Sequence, residues 1–584
     1  MAFASLQHLP TELLLEIFRH LDDSSLYELG QTCKDLHYPA FSAFFKQNDI
    51  PTPSSSGWYW TSKYPPHTLS IVHSALWMKD MRHVCCSVNG GFNRIFEDTE
   101  DLHRLIGRMN FVDSFRVNLS LVDYWSYANR QQGLYRLAWG KRFTSLLDFA
   151  IERGCIDLEI SGGAALKNIY VHDEPPGLPQ VQVGSSQNRV EQDGISSSPI
   201  SASAILDAQV IQPEISLPPR IQGDGASLKK SRSPLVNMVS RIFRRSRPPA
   251  NPSSPTPILP VIIPINQIPN AESDIDPPSA PTLRLKSVDI HSPMLLQYTF
   301  YPWTINMLAK GSSTITRLSL SCVEIPTETW THLLSSISLP LLTRIRLKTS
   351  LFRASQAASC TPKFNDILQF LERHPTITAL ELEGVEKPDP PPVIKQSILP
   401  RLKTISAHSI WIGCLLDILD THADAFPDLQ SINISTEYAL FDDPADYTYS
   451  YDLIDAVLEK IAHFPRSITL AVQFSFEQGM EWFDSHVALG KEKSIIGSLR
   501  CVSNVVISTR FTVRCGREEV THLAQWFALF PSLESVKILD CLLDKDGYSL
   551  LDDTALLKSM RAGCSTLKRV ETSYGSINLD TLTM

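Results

Sequence analysis

One apolar spacing recurs through the second half of the chain: an apolar residue, two variable residues, an apolar residue, one variable residue and a third apolar residue. The last three positions of this motif alternate between apolar and variable residues, which is typical of a strand that buries one face. The middle apolar residues are 25 to 37 positions apart, from 380 to 405 at the shortest and from 468 to 505 at the longest. Such self-similarity predicts one supersecondary unit whose copies stack. The nine middle residues are Leu318, Ile345, Leu380, Ile405, Ile432, Ile468, Val505, Val536 and Val570.

The segments between these strand motifs have helical spacing. Apolar residues recur at helical intervals in 364–371 and in 518–530. A proline often stands just before the strand motif, as Pro427 and Pro531 do, where it ends the preceding helix and favours extended backbone. We therefore predict an α/β fold in which strand and helix alternate as a solenoid, with a non-repetitive α/β domain as the alternative. The strand motif resembles that of leucine-rich repeats, in an irregular form.

The first forty residues carry a different pattern, that of short packed helices. Leu9-Pro10-Thr11-Glu12 opens a helical pattern, and proline suits the first helical turn because its missing N–H and fixed φ cost nothing there. Apolar residues then recur at steps of three and four from Leu13 to Leu21, a stripe broader than so short a segment can bury on itself. A run of helix-capping residues at 22–25 precedes a second apolar stretch that starts at Leu26.

This N-terminal segment resembles an F-box, the docking module of ubiquitin-ligase substrate receptors. The Leu-Pro-x-Glu opening, Ile17, the Leu-Asp turn and the Cys33-Lys34 pair fall at the family's spacing, although Thr32 stands where the family usually has valine. The resemblance implies docking to an adaptor of the Skp family and, through it, to a cullin. An ordinary amphipathic helical hairpin is the alternative. The residues that the resemblance would place against the adaptor are Leu9, Pro10, Leu13, Ile17, Leu21 and Leu26.

Length, charge and cysteine usage limit the class of protein. A chain of 584 residues exceeds what one compact core normally holds, so we expect several domains. The formal net charge of −9 argues against nucleic acid as a partner. The 11 cysteines include no C-x-x-C pair, and no apolar run reaches the roughly 18 residues that would span a membrane. Without a signal-peptide pattern, we expect a soluble protein of the cytoplasm, the nucleus or both.

Between residues 173 and 281 the composition shifts to proline, serine and glutamine, which predicts a long disordered insert. Its basic island at 229–247 has four open interpretations: a nuclear localisation signal, a contact with anionic membrane, a phosphorylation-controlled contact or a solvated linker. Strand-like segments at 156–160 and 283–290 would make the insert a loop emitted from the solenoid. We divide the chain into an F-box at 1–45, a globular segment at 46–172 that could start the solenoid, the insert, and leucine-rich-repeat-like residues 282–584.

Alternation along the repeat strands turns apolar residues inward and leaves the intervening residues on an open face. Such a face offers a protein substrate an extended, preformed surface. Arg344, Arg346 and Lys348 form its strongest charge cluster, suited to an acidic or phosphorylated segment. The alternative is internal pairing of Arg346 with Glu381 and of Lys348 with Glu383. The candidate substrate-binding residues are Arg317, Arg344, Arg346, Lys348 and His408.

The sequence holds no catalytic or metal-binding constellation that we would assign. The nearest, at 133–141, lacks P-loop spacing, and Arg142 stands where a serine or threonine would bind magnesium. We expect no metal, no cofactor and no catalysis by the chain itself. The resemblance, which extends to the F-box families of mushroom-forming fungi, implies a substrate-recognition subunit of an SCF (Skp, cullin, F-box) ubiquitin ligase. The alternative is an interaction scaffold whose F-box does not drive ubiquitination.

Overall fold

A computed structural model describes the chain in segments. These are residues 9–65, 68–75, 79–90, 92–122, 133–163, 283–297, 299–321, 325–349, 360–387, 398–421, 425–435, 451–474, 476–514, 517–543, 553–572 and 575–581. The chain divides into two compact units, and every described residue belongs to the unit formed by Met1–Pro175 and Pro278–Met584. The insert predicted at 173–281, with its basic island at 229–247, lies outside the described residues.

The described residues form one sheet of 15 strands, in which each strand lies beside the next one in the chain. Every neighbouring pair is parallel except the last, which is antiparallel. The strands are β1 (Trp58–Thr61), β2 (Asp80–Gly90), β3 (Phe111–Val122), β4 (Asp157–Gly162), β5 (Ser287–His291), β6 (Arg317–Ser321), β7 (Arg344–Lys348), β8 (Ala379–Glu383), β9 (Thr404–Ala407), β10 (Ser431–Ile434), β11 (Ile468–Phe474), β12 (Val502–Arg514), β13 (Ser535–Leu543), β14 (Arg569–Thr572) and β15 (Gly575–Asn578).

Helices precede the sheet and connect its strands, which confirms the predicted alternation. The helices predicted at 364–371 and 518–530 are α9 and α14 of the following list. The helices are α1 (Thr11–Phe18), α2 (Asp23–Thr32), α3 (Lys34–Gln47), α4 (Thr68–Ser74), α5 (Phe92–Arg108), α6 (Gly133–Glu152), α7 (Tyr301–Lys310), α8 (Thr327–Ser336), α9 (Phe364–Glu372), α10 (Ser409–Leu416), α11 (Ile418–Thr421), α12 (Tyr451–Ala462), α13 (Phe476–Leu489), α14 (Arg517–Phe527) and α15 (Thr554–Gly563). Short 3₁₀ helices cover Pro293–Leu296, Ile495–Ser498 and Leu579–Thr581.

The strands share one register, so their middle apolar residues form a buried row across the sheet. Leu318 lies opposite Ile345, and the row continues through the residues predicted from the repeat motif. The prediction was wrong at one position: Leu470, not Ile468, lies beside Ile432 and Val505. The register of β11 and β12 shifts between Ile468 and Thr469, so the first residue of β11 falls outside the regular alternation.

The sheet begins well before the repeats that the motif reveals. Strands β1, β2 and β3 pair in parallel and lead into β4. Strand β4 in turn pairs in parallel with β5, although residues 163–286 separate the two strands in the chain. The helices behind these strands also meet, because Trp303 Nε1 on α7 donates a hydrogen bond to Asp148 Oδ1 on α6 at 2.9 Å. Segments on both sides of residues 164–282 therefore share one sheet and one hydrophobic core.

Candidate functional site

A groove of about 350 Å³ lies on the open face of the sheet, the face whose residues alternate with the buried rows. It extends from β5 to β10. Charged, hydroxyl and amide side chains of the open face line it, together with the middle apolar residues Leu318, Ile345, Leu380 and Ile405. The open-face residues that line it are Ser287, Asp289, Arg317, Ser319, Arg344, Arg346, Ala379, Glu381, Thr404, Ser406, Ser431 and Asn433.

A ladder of threonines sets the register of the central strands of this groove. Thr316, Thr343 and Thr378 each stand one residue before a strand. The Thr343 backbone N–H donates to Thr316 O at 2.8 Å, and the Thr343 hydroxyl donates to the same oxygen at 3.0 Å. Thr378 repeats both bonds toward Thr343 O, at 2.8 and 3.0 Å. Each strand is thereby fixed against its predecessor before the groove residues begin.

Two cations of the predicted cluster are paired within the sheet. Arg346 Nη2 lies 3.0 Å from Glu381 Oε1, and Lys348 Nζ lies 2.5 Å from Glu383 Oε2. Both pairs join residues directly opposite each other on β7 and β8, as the alternative interpretation of the sequence required. Lys348 does not line the groove. Of the predicted cluster, Arg344 is therefore the cation that remains in the groove without a carboxylate opposite it.

Arg317 and Arg344 lie side by side on β6 and β7, and both side chains are exposed. Within the described residues, the nearest carboxylate oxygen to Arg317 is Asp157 Oδ1 at 3.9 Å, and Arg344 has no ion pair. Ser287 and Ala379 flank the two arginines in register. No carboxylate lies directly opposite either arginine, and like charges opposite each other on neighbouring strands are destabilising.

His408 was predicted on the open face, but the structure places it at the start of a helix. Strand β9 ends at Ala407, and His408 is the N-cap residue of α10. Its Nδ1 accepts a hydrogen bond from the Ile410 backbone N–H at 3.3 Å. Burial lowers the pKa of His408 to about 3, so the imidazole is neutral, as a hydrogen-bond acceptor must be. His408 does not line the groove and is withdrawn from the candidate set.

A second surface lies on the N-terminal helices, whose first helix begins one residue later than predicted. Pro10 precedes α1 at its N-cap position, with φ −53° and ψ 145°, and is not part of the first turn. Its carbonyl oxygen accepts hydrogen bonds from the N–H groups of Leu13 and Leu14 at 3.0 and 3.1 Å. Proline still fits here because its fixed φ suits a residue that starts a helix.

The second apolar stretch of the N-terminal segment forms two helices instead of one. Asp22 caps α2, its Oδ1 accepting from the Ser25 N–H at 2.8 Å, and hydrogen bonding with Ser25 lowers the pKa of Asp22. Cys33 is extended, with φ −155°, and separates α2 from α3. The two helices pack closely at Gly30, where an added Cβ would lie 2.2 Å from Phe41 Cε1.

Helix α1 presents two apolar faces. Leu14 and Phe18 are buried, at 6% and 1% exposure. Leu13 and Ile17 lie one turn apart on the adjoining face and are 53% and 39% exposed. An apolar pair held at a helix surface is what a docking helix offers a partner.

Residues 6–48 match the F-box-like domain family. The F-box resemblance of the N-terminal segment is thereby confirmed, while the match does not extend into the sheet. No curated protein matches the chain. Within the F-box-like domain, Pro10 is exposed and Leu9 and Leu21 are partly buried. Leu26, predicted against the adaptor, is 0% exposed because α2 packs it inward, so we assign it to the internal core of the domain.

Sequence reasoning missed a chain of hydrogen-bonded polar side chains between α12 and α13, in which His486 is buried and Asp455 is partly exposed. His486 Nε2 lies 3.2 Å from Asp455 Oδ1, and His486 Nδ1 lies 2.9 Å from Ser494 Oγ. Trp482 Nε1 donates to the same carboxylate oxygen at 3.0 Å. The Ser494 hydroxyl is enclosed and caps a 3₁₀ helix by accepting from the Ile496 N–H at 3.2 Å. The order resembles a catalytic triad, but the enclosed hydroxyl ties helices together and faces no substrate.

Two absences hold for the part of the chain that the structure describes. No group of three or more histidine, cysteine, aspartate or glutamate side chains there could hold a metal ion. No helix there is long and apolar enough to cross a membrane. The two candidate surfaces are therefore the groove on the open face and the exposed pair on α1.

Proposed function

We propose that this protein is the substrate-recognition subunit of an SCF ubiquitin ligase. Its F-box-like domain docks an adaptor of the Skp family, which joins it to a cullin, and the open face of its sheet binds a protein substrate. The observation that carries the proposal is the F-box-like match at residues 6–48, whose first helix exposes Leu13 and Ile17. F-box proteins are generally adaptor subunits that do no chemistry themselves.

The sheet supports the receptor half of the proposal. Fourteen strands follow one another in parallel and present a preformed polar face, so binding requires little ordering of the receptor. The role of this chain would be to hold a substrate near a ubiquitin-conjugating enzyme, which raises the effective concentration of the reacting groups. In this proposal no side chain of this protein takes part in the chemistry of ubiquitin transfer.

The test is affinity purification of the full chain and of a Leu13→Ala/Ile17→Ala variant, followed by mass spectrometry of the retained proteins. We expect the adaptor and the cullin to be retained by the full chain and lost from the variant. Leu341→Ala is the matched control, because Leu341 is 49% exposed but lies next to β7, away from the F-box-like domain. Retention of the adaptor by the double variant would contradict the assigned docking face.

The same purification separates the receptor from the interaction scaffold. A receptor retains cullin together with the adaptor, and proteins bound to its sheet become longer-lived when Leu13 and Ile17 are replaced. A scaffold binds the same proteins without changing their lifetime. Absence of the adaptor from the unaltered chain would overturn the receptor and leave only the interaction scaffold.

A further inference from the structure

We propose that Arg317 and Arg344 form a clamp for one compact anionic group on a protein segment held in the groove. The group is a phosphorylated side chain or a carboxylate. The inference deepens the proposed function and rests on it in one respect, namely that the open face is the substrate-binding face. Its evidence is the distribution of charge along the sheet, independent of the F-box-like domain.

The first observation is that these two arginines depart from the pattern of the open face. Elsewhere on the described strands four cations face a carboxylate on the neighbouring strand, and Arg569 of β14 pairs with Glu571 of its own strand at 2.5 Å. Arg317 has only a distant contact with Asp157, and Arg344 has no ion pair among the described residues. The paired cations are Arg116 with Glu159 at 3.2 Å, Arg346 with Glu381 at 3.0 Å, Lys348 with Glu383 at 2.5 Å and Lys537 with Glu571 at 3.8 Å.

The second observation is that the sheet leaves room and donors beside them. Neighbouring strands are about 4.8 Å apart, so two guanidinium groups at register-paired positions can reach the oxygens of a single anion. Ala379, next in register after Arg344, has only a methyl group, and Thr404 beyond it supplies a hydroxyl. All four residues line the groove. An anion seated there would offset the repulsion between the two arginines.

The third observation limits the size of the anion. Asp289 lines the groove two residues further along β5 than the row that holds the arginines, and it has no ion pair among the described residues. Asp157, opposite Ser287, lies in the arginine row itself, whereas Glu381 and Glu159 are each paired with an arginine. A compact phosphate or carboxylate needs to contact only the two arginines, whereas an extended polyanion would also meet Asp157 and Asp289 and be repelled. The site therefore favours one anionic side chain of a protein over a nucleic acid or an anionic membrane.

The test uses the immobilised full chain and three pools of short peptides of equal length. The central residue is phosphoserine, glutamate or serine, and the other positions are degenerate. We expect retention of the phosphoserine and glutamate pools above the serine pool, with the phosphoserine pool highest if phosphate is the natural group and the two equal if carboxylate is. Arg317→Ala/Arg344→Ala should reduce retention of the anionic pools by roughly tenfold to a hundredfold, since each bond to a charged group is lost.

Two variants serve as controls for this experiment. Arg344→Lys keeps the positive charge but replaces the planar guanidinium and its paired N–H donors with an ammonium group. Retention of the anionic peptide pools should therefore fall by less than in the double variant. Arg116→Ala removes an equally exposed arginine that is already paired, and should leave retention unchanged. Equal retention of all three pools, or full retention by the double variant with its circular dichroism unchanged, would overturn the clamp. Tighter binding of single-stranded DNA that depends on the same arginines would overturn the limit to one compact anion.

Failure of the clamp and failure of the proposed function give different results. The double arginine variant should still retain the adaptor, because both arginines lie outside residues 6–48. The Leu13→Ala/Ile17→Ala variant should lose the adaptor and still retain the anionic peptide pools. Loss of peptide retention alone from an otherwise adaptor-binding chain would contradict only the clamp. Missing adaptor with arginine-dependent peptide retention would contradict only the proposed function.

Discussion

Replacing Leu26 by alanine should make local unfolding of the F-box-like domain much more frequent. The same replacement at Leu13 should change its frequency little. The two leucines belong to the same domain and differ in burial: Leu26 is 0% exposed and Leu13 is 53% exposed. The same atoms are deleted in each variant. A difference between them therefore reports where each side chain lies.

The expected sizes follow from that burial. A buried Leu→Ala change costs about 2 to 5 kcal/mol, because the surrounding core cannot fully close the cavity. Complete burial of a leucine stabilises by roughly 1.5 to 3 kcal/mol, so deleting a side chain that is already half in water should cost about 1 kcal/mol or less. Opening of the domain should become roughly 30-fold to several-thousand-fold more frequent with Leu26→Ala, and about fivefold at most with Leu13→Ala.

Amide hydrogen exchange of the full chain, read by mass spectrometry on peptides from residues 9–48, measures this opening directly. Peptides from β6 to β8 provide an internal reference that neither variant should change, since stability in a stacked array depends on nearest neighbours. Equal acceleration of exchange by the two variants would refute the reasoning. Faster exchange with Leu13→Ala than with Leu26→Ala would show that the two faces of the domain are assigned the wrong way round.

Three further predictions concern the sheet and its helices. Glu381→Gln should increase retention of the phosphoserine peptide pool up to about fivefold, because it frees Arg346 and removes a carboxylate from the groove. Gly384→Ala should lower the free energy of unfolding by about 2 to 5 kcal/mol in urea titrations, since Gly384 has φ +68° and an added Cβ would lie 2.6 Å from Thr349 O. Burial raises the pKa of Asp98 to about 7, against the lowering effect of nearby Arg94. Protonation of Asp98 thus stabilises the fold below about pH 4, and this contribution of at most about 4 kcal/mol is lost as the pH rises through 7. Asp98→Asn should flatten that dependence and stabilise the protein at pH 8.

Each of these three predictions has its own contradicting result. Unchanged retention with Glu381→Gln would show that Arg346 takes no part in binding even when it is free. A urea midpoint unaffected by Gly384→Ala would show that the turn after β8 can shift without cost. For Asp98→Asn, urea titrations at pH 5 and pH 8 should show a clearly larger gain at the higher pH, because most of the window between the two pKa values lies above pH 5. A gain of equal size at both would rule out titration of Asp98 as its cause.

The repeat motif predicted most of the sheet because its physical basis is local. Alternating apolar residues followed by a helix make a strand whichever neighbours it has, and equivalent positions in successive repeats must lie opposite each other. That is why the pairs Arg346 with Glu381 and Lys348 with Glu383 could be named in advance. Strands β1 to β3 escaped prediction because their inward residues include Trp60 and Cys86 and do not repeat the leucine motif.

The errors at individual residues arise where tertiary packing decides. Periodicity marks Leu26 as apolar, but only the packing of α2 on α3 shows that its partner lies inside the domain. His408 continues the alternation of β9 in sequence, yet the chain turns into α10 at that residue. The extra charge at Arg344 became visible only from the register, because the absence of an opposing carboxylate cannot be read from one strand alone.

The pairing of β4 with β5 has a consequence for how freely this chain can change in length. Residues 163–286 join these neighbours, roughly five times the length of the connection from β5 to β6 at 292–316. Despite this difference in length, both connections join strands that pair in parallel with the same register. The junction after Gly162 is thus a place where sequence can be gained or lost while every strand keeps its neighbour, and with it the arrangement of charges on the open face.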